Sequence, residues 1–388
     1  MRGPRLAAMV FTAGVFLPFA ARAVDFNFAG TLQLDYLFTP LSLDRPPLGR
    51  RPFDGFTQEL SLKVAADLSE HVTANVKVCY GCHGFEVGMA YVDYRLGGGV
   101  TFRAGRFSPS FGEFGLRHDP GNHRLPDKPL PYDMGRMLHL LEFDRSVLPA
   151  PYVDNGVEVL GHHSLGRAVT LDWAAHAVTG LRARSEAPYD IEFTQSRQLP
   201  YIDNNARPSV GGRVGLQFRI APRTDLTVGA STLYGPYDNN ANLQYLVAGT
   251  DLWLRIGRSN IRAEYLYRRT DMAAGDQARF EQPLGPMGAA LPASVAQHRD
   301  GWYIEWEQPV LRNLDLIVRW DGLRRSGNVR PNSPLDSEAG ISRLTLGTHL
   351  TVSRGFRVKA AVEHYTIWGL REQNSQEIAA HLGVVATF

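Results

Sequence analysis

From Val24 to the end of the chain, apolar residues recur at every second position over many short stretches. One stretch covers 71–78, with valine or alanine at the even positions and His71, Thr73, Asn75 and Lys77 at the odd ones. A period of two is that of a β-strand, whose successive side chains point to opposite faces. Further stretches repeat this pattern at 213–220, 314–320 and 356–363. The chain is therefore expected to consist mainly of strands with one apolar and one polar face.

The connections between these strands alternate in length. Short turns such as Ser69-Glu70 and Arg312-Asn313 alternate with long segments such as 39–55 and 270–300. In lipid, every backbone amide needs a partner within the protein, so strands can cross a bilayer only as a closed barrel. The pattern predicts an all-β fold, a transmembrane antiparallel up-and-down β-barrel of about 16 strands, with both chain ends at the periplasmic, short-turn end. A soluble β-sandwich, which also alternates, is the competing fold.

The first 23 residues follow a different pattern. Arg2 and Arg5 precede an apolar stretch over 6–20, and Ala21-Arg22-Ala23 fits a signal-peptide cleavage site. A transmembrane anchor is the alternative, although the apolar stretch is short for one. We expect 1–23 to be a secretory signal peptide and 24–388 to form an outer-membrane barrel.

The composition agrees with a barrel rather than with membrane helices. Of the 388 residues, 44% are hydrophobic and 21% are charged, with a mean hydropathy of -0.21. After the first segment, no apolar run reaches the length of a spanning helix. Loss of Arg2, Arg5 and Arg22 with the signal peptide changes the formal net charge from +2 to -1 (2 minus 3). A chain so close to neutral lacks the basic field that nucleic-acid binding requires.

One segment, 108–155, is too long for an ordinary connection and is rich in Pro, Gly and charged residues. We expect it to fold inward and narrow the pore, and an exposed loop with solvated charges is the alternative. The constriction would be formed by acidic and basic side chains of this segment: Glu113, Arg117, His118, Asp119, His123, Arg124, Asp127, Lys128, Asp133 and Arg136.

The polar face of the strands would line the water-filled lumen, where charged side chains filter ions by sign. The basic residues expected to line the pore are Lys77, Arg103, Arg213, Arg219, Arg319 and Lys359. Acidic residues alternate with them, and the modest basic excess favours anions. The assignment depends on register, because a shift of one residue exchanges the two faces.

The last strand carries apolar residues from Ile378 to Phe388 at every second position and ends on an aromatic. It resembles the terminal strand that the outer-membrane assembly machinery recognises.

The segment 103–107, leading into Ser108-Pro109-Ser110-Phe111-Gly112, is similar to the strand that enters the constriction loop of porins. The mature chain thus resembles Gram-negative porins, of the sixteen-stranded diffusion type and the phosphate-selective type. The resemblance implies an outer-membrane channel in lipid, passage of small hydrophilic solutes and a homotrimer. No hydrolase or protease motif stands out, so no enzymatic activity is expected.

Both cysteines lie in Cys79-Tyr80-Gly81-Cys82-His83, which has the C-x-x-C-H spacing of c-type haem attachment. The two thiols would add to the haem vinyl groups, and His83 would ligate the iron. The motif resembles that of fused cytochrome-porins, although there the haem segment precedes the barrel. It implies covalent haem c, a redox partner and electron transfer at the outer membrane. A disulfide between Cys79 and Cys82 is the alternative. Candidate distal ligands are His118, His123, Met134, Met137 and His139.

Overall fold

The computed structural model describes residues 24–42, 56–81, 84–133, 146–183, 191, 202–271, 296–327, 339–370 and 373–388, so the expected signal peptide lies outside it. These residues form sixteen strands: β1 Asp25–Ser42, β2 Phe56–Asp67, β3 Val72–Gly81, β4 Gly84–Gly97, β5 Val100–Phe107, β6 Asp154–Ser164, β7 Val169–Val178, β8 Ser209–Ala221, β9 Thr224–Pro236, β10 Gln244–Ile256, β11 Ser259–Asp271, β12 Ala296–Pro309, β13 Leu314–Gly327, β14 Ala339–Ser353, β15 Phe356–Leu370 and β16 Gln373–Thr387. A short 3-10 helix covers Phe114–Arg117. Among the residues described, no helix is both long and apolar enough to cross a membrane.

Each strand pairs antiparallel with its neighbours in the chain, and β1 pairs with β16 to close the barrel. The closing register places Thr31 opposite Thr387 and Tyr36 opposite Leu382. Closure leaves no strand edge with unpaired amides, which is the condition for crossing lipid. The predicted all-β architecture and the number of strands are confirmed.

The two faces of the wall differ as the alternation predicts. Trp320 is 54% exposed on the outside, whereas its neighbour Arg319 is 1% exposed. Val362 is 55% exposed, whereas Glu363 is fully buried at 0%. The outside of the barrel is therefore apolar and the inside is charged. A continuous apolar surface of this kind is stable against hydrocarbon rather than water.

Several strands are longer than the sequence pattern predicts, and the largest extensions are at the end with the long loops. β1 continues to Ser42, and β12 begins at Ala296, where a start near Gly301 was expected. Pairing between β12 and β13 continues to Gln297 opposite Gly327. The pattern fails there because strands that extend beyond the hydrocarbon are polar on both faces and no longer alternate.

Candidate functional site

The connection between β5 and β6, residues 108–153, enters the barrel, and we call it the constriction loop. β5 has only 8 residues, so the chain leaves the wall early. Inside, Gly112 N donates to Ser231 Oγ of β9 at 3.0 Å, and Leu130 N donates to Asp321 Oδ2 of β13 at 2.9 Å. Gly112 has a φ of 63°, and a side chain there would collide with Tyr132. The described parts of the loop thus cross from β5 to the opposite wall.

A buried carboxylate anchors the middle of the loop. Asp127 accepts two hydrogen bonds from Arg319 Nη2, at 2.7 and 2.8 Å, and a third from Arg343 Nη1. Arg343 also binds Asp321, with Nη2 at 2.5 Å from Oδ2. Burial alone would raise the pKa of Asp127, but the two guanidinium groups lower it to about 2. The loop and the wall are therefore joined by charges that water does not reach.

A second anchor holds the backbone of the loop to β15. The fully buried Lys359 donates to the carbonyl oxygens of Pro120 and Leu125, at 2.7 and 3.1 Å. Its third hydrogen bond goes to Gln33 Oε1 of β1, at 3.0 Å. A lysine ammonium has three donors, and all three are used here. Lys359 thus fixes the path of the loop rather than facing a solute.

The start of the loop is anchored to β2 and β3. Asp119 accepts from Lys63 Nζ and from Lys77 Nζ, the latter at 2.5 Å. His118 lies beside them, with Nε2 3.1 Å from Lys77 Nζ and Nδ1 2.7 Å from the carbonyl oxygen of Gly115. Burial and the charge of Lys77 lower the pKa of His118 to about 4. The imidazole is therefore neutral at pH 7 in the docked loop.

A further group of contacts joins the loop to β11 and β12 through one carboxylate. Glu264 accepts hydrogen bonds from the hydroxyl groups of Tyr132 and Tyr303, at 2.5 and 2.7 Å, and from Phe114 N at 2.6 Å. Tyr132 and Phe114 belong to the loop, whereas Glu264 and Tyr303 belong to the wall. The loop is thus hydrogen-bonded to the wall on several sides of the barrel.

The loop covers the inner wall unevenly. Along β13 to β15, the inward side chains of Arg319, Arg343 and Lys359 are at most 1% exposed. Elsewhere the inner wall keeps contact with water: the side chains of Lys63 on β2 and Arg255 on β10 are 45% and 48% exposed. Space for water therefore remains beside Lys63 on β2 and Arg255 on β10.

The six basic residues expected to line the pore all lie on the inner face. Arg103 pairs with Asp93 at 2.8 Å and keeps a side chain that is 20% exposed. Arg213 and Arg219 also retain exposure to the lumen. In contrast, Lys77, Arg319 and Lys359 are buried. These three differ from the expectation because the constriction loop covers them.

Of the loop residues chosen from sequence, Glu113, Arg117, His118 and Asp119 lie inside the barrel, and Arg117 pairs with Glu113 at 2.8 Å. Asp133 is partly buried there. Arg136, Met134, Met137 and His139 lie outside the described residues. Sequence reasoning missed several residues that hold the loop, among them Gln33, Lys63, Ser231, Tyr303 and Asp321. Lys63 carried a signal, because it alternates with apolar neighbours directly opposite Lys77.

The haem motif falls on the hairpin between β3 and β4. Cys79 lies within β3, opposite Ser61 of β2 and Glu86 of β4. Its Sγ lies against Gly88, where an added Cβ would be only 3.0 Å away. Cys82 and His83 lie outside the described residues. Thioether attachment requires Sγ to stand clear of its neighbours, whereas the Cys79 thiol is packed within a strand ladder. The position of Cys79 therefore gives no support for haem, which stays a prediction of the sequence.

No family model matches the chain, and no curated protein matches it. Solved structures do resemble it. The outer membrane channel DcaP of Acinetobacter baumannii aligns with a TM-score of 0.56 at 11% identity, over 94% of this chain and 97% of that one. An anion-selective porin from Comamonas acidovorans gives 0.54 at 10% identity, over 94% and 100%. OmpF of Salmonella typhi gives 0.53 at 8% identity, over 94% and 97%. The chain is thus a closed sixteen-stranded barrel with the fold of outer-membrane porins.

Proposed function

We propose that this protein is a Gram-negative outer-membrane channel through which small hydrophilic solutes diffuse passively. The observation that carries the proposal is the uneven coverage of the inner wall. The constriction loop is bound tightly to β11–β15, while charged side chains on β2, β4 and β10 remain in contact with water. Such an arrangement narrows a lumen to one side and leaves an aqueous path with a charged lining.

We further propose that this path favours anions. In the four described ion pairs of the lumen that have the most exposed lysine or arginine side chains, the basic partner is the more exposed one, whereas in the more buried pair Lys128–Glu59 the exposures are 11% and 22%. The side-chain exposures are 45% for Lys63 against 7% for Asp119, 54% for Arg95 against 37% for Asp67, 48% for Arg255 against 12% for Asp225, and 42% for Arg124 against 17% for Asp315. At these four pairs, a passing ion therefore meets the cation before the carboxylate. Charge that borders the water sets the local ion concentration.

Conductance across a planar bilayer tests both statements. The purified, heat-modifiable barrel is expected to give discrete conductance steps in KCl. In a KCl gradient, its reversal potential is expected to have the sign that indicates a greater permeability to chloride than to potassium. A folded barrel that inserts but carries no current would contradict the channel, and a reversal potential of the opposite sign would contradict only the anion preference.

The homotrimer implied by the porin resemblance stays a prediction. Chemical crosslinking and native mass spectrometry of the detergent-solubilised protein would detect it. The electron-transfer alternative depends on haem and is tested separately below.

A further inference from the structure

The end of the barrel with the short turns carries an unusual set of charges. Five consecutive short connections, from β6–β7 round to β14–β15, each contain one exposed arginine, and together they form what we call the arginine rim: Arg167, Arg223, Arg258, Arg312 and Arg354. None of these five connections contains an acidic residue. The five turns therefore form an arc of positive charge with no carboxylate of their own, and the nearest ones, Asp225 and Asp315, lie on the adjoining strands.

Each arginine of the rim stands beside an exposed apolar side chain on the outside of the barrel. The apolar neighbours lie within three positions of it and are strongly exposed: Leu165 56%, Ile220 61%, Ile256 52%, Leu311 59% and Val352 56%. These side chains mark the edge of the surface that meets hydrocarbon. The rim thus lies where a bilayer changes from acyl chains to headgroups. An arginine suits this level, because its stem packs on apolar surface while its guanidinium stays in the polar layer.

One hydrogen bond shows the direction of a guanidinium group of the rim. Arg258 Nη2 donates to the carbonyl oxygen of Leu311 in the next turn, at 3.2 Å, so this side chain lies along the rim. Neighbouring turns are two strands apart, which is about 10 Å. Arg223 has a φ of 67°, a conformation that favours glycine. An arginine is nevertheless present in that turn.

We propose that the arginine rim binds phosphate groups of phospholipids in the periplasmic leaflet and prefers anionic phosphatidylglycerol. A guanidinium donates paired hydrogen bonds to phosphate oxygens, and the adjacent apolar side chain contacts the acyl chain of the same lipid. A soluble acidic protein fits less well, because the turns have two to four residues and project little beyond the bilayer. The binding points also lie along an arc of ten strands, which separate lipids can occupy independently. The proposal rests on the proposed function only in placing the barrel in an outer membrane with its short turns in the periplasm.

Native mass spectrometry of the purified barrel, loaded from mixed micelles of phosphatidylglycerol and phosphatidylcholine, tests the proposal. The rim variant carries Arg167→Gln, Arg258→Gln and Arg312→Gln. The matched control carries Arg207→Gln, Arg269→Gln and Arg324→Gln, three exposed arginines towards the other end of the barrel. Wild type and control are expected to retain phosphatidylglycerol preferentially. The rim variant is expected to lose this preference by about fivefold or more.

Equal retention in all three proteins would overturn the proposal, as would displacement of the lipid by soluble polyglutamate, which would indicate an acidic protein partner. Heat-modifiable migration shows that each variant is folded. Conductance in a pure phosphatidylcholine bilayer is measured in parallel and is expected to be the same for the wild type and the rim variant. If the barrel conducts but shows no lipid preference, only the proposal for the arginine rim is refuted. If it shows the lipid preference but does not conduct, only the proposed channel is refuted.

Discussion

The carboxylate of Asp127 and the guanidinium of Arg319 form two hydrogen bonds, of 2.7 and 2.8 Å, between residues 192 positions apart in the chain. Both side chains are almost completely buried, at 2% and 1% exposure. A charged pair removed from water is stable only while both partners are present. The pair therefore holds the constriction loop to β13, and four expectations about the loop, its charges and the cysteine motif can be measured.

Asp127→Asn is expected to undock the loop, because it removes the loop's carboxylate from the buried charges of Arg319 and Arg343 and leaves them only the wall carboxylate of Asp321 to share. Breaking such a pair costs on the order of 3–5 kcal/mol. Urea titration followed by tryptophan fluorescence measures the loss in free energy of unfolding, and planar-bilayer recording is expected to show larger, fluctuating conductance. The matched control is Asp203→Asn at an exposed position. Equal effects of the two substitutions would contradict the role of the pair.

Docking of the loop is expected to weaken in acid through His118. Burial and Lys77 lower its pKa from 6.5 to about 4 in the docked loop. The undocked loop therefore takes up a proton first as the pH falls, so docking is strongest above about pH 6.5 and loses on the order of 3 kcal/mol by about pH 4. The pKa of Asp127, about 2, keeps that anchor charged throughout.

Single-channel recordings at pH 7.5 and pH 4.5 would show this as more frequent conductance steps at the lower pH. His118→Gln, which cannot take up the proton, is expected to remove the difference. Identical step frequencies at the two pH values, or an unchanged pH dependence in the variant, would refute the assignment.

Lys63→Gln is expected to reduce the preference for anions. Its side chain is 45% exposed, and a unit charge at about 4 Å in water is worth about 1 kcal/mol, or up to about fivefold in local anion concentration. Asp119 keeps its bond to Lys77, so the loop stays anchored. The reversal potential in a KCl gradient should shift toward that of potassium. Arg269→Gln, at the long-loop end, serves as the control, and an equal shift in both would argue against a lumen role for Lys63.

Covalent haem at Cys79 and Cys82 is tested by expression with a cytochrome c maturation system. Attachment would give a Soret band and a mass increase of one haem, and Cys82→Ser would lose the second thioether. The position of Cys79 in the β3 ladder implies that the hairpin tip would have to open first. A colourless protein of unmodified mass would contradict the prediction.

The barrel could be predicted from sequence because each strand carries its own signal. Alternation alone shows that Trp320 lies on the outer face of the barrel and Arg319 on the inner face, and it requires no information from the rest of the chain. The anchors of the constriction loop carry no such signal. Asp321 and Gln33 are polar residues on an inner face, like many others, and only the path of the loop makes them partners of Leu130 and Pro126. Contacts between an irregular segment and a distant strand depend on the closed barrel, which no local pattern encodes.

For the same reason, Arg319 and Lys359 were expected to face the solute, although they face the loop. The predicted register placed both side chains correctly on the inner face. Register alone does not show whether water or the constriction loop fills the lumen in front of them. The exposure of Lys63 could not be predicted either, because it depends on which side of the lumen the loop leaves uncovered.

Three anchors of the constriction loop, Arg319, Arg343 and Lys359, lie on β13, β14 and β15, between 192 and 239 positions after their loop partners. A nascent chain therefore synthesises Pro120 and Asp127 long before these partners exist. During membrane insertion this segment has to wait, with Asp127 still hydrated, until the C-terminal hairpins have been made. The pore thus acquires its final cross-section only at the last stage of biogenesis, when β16 joins β1.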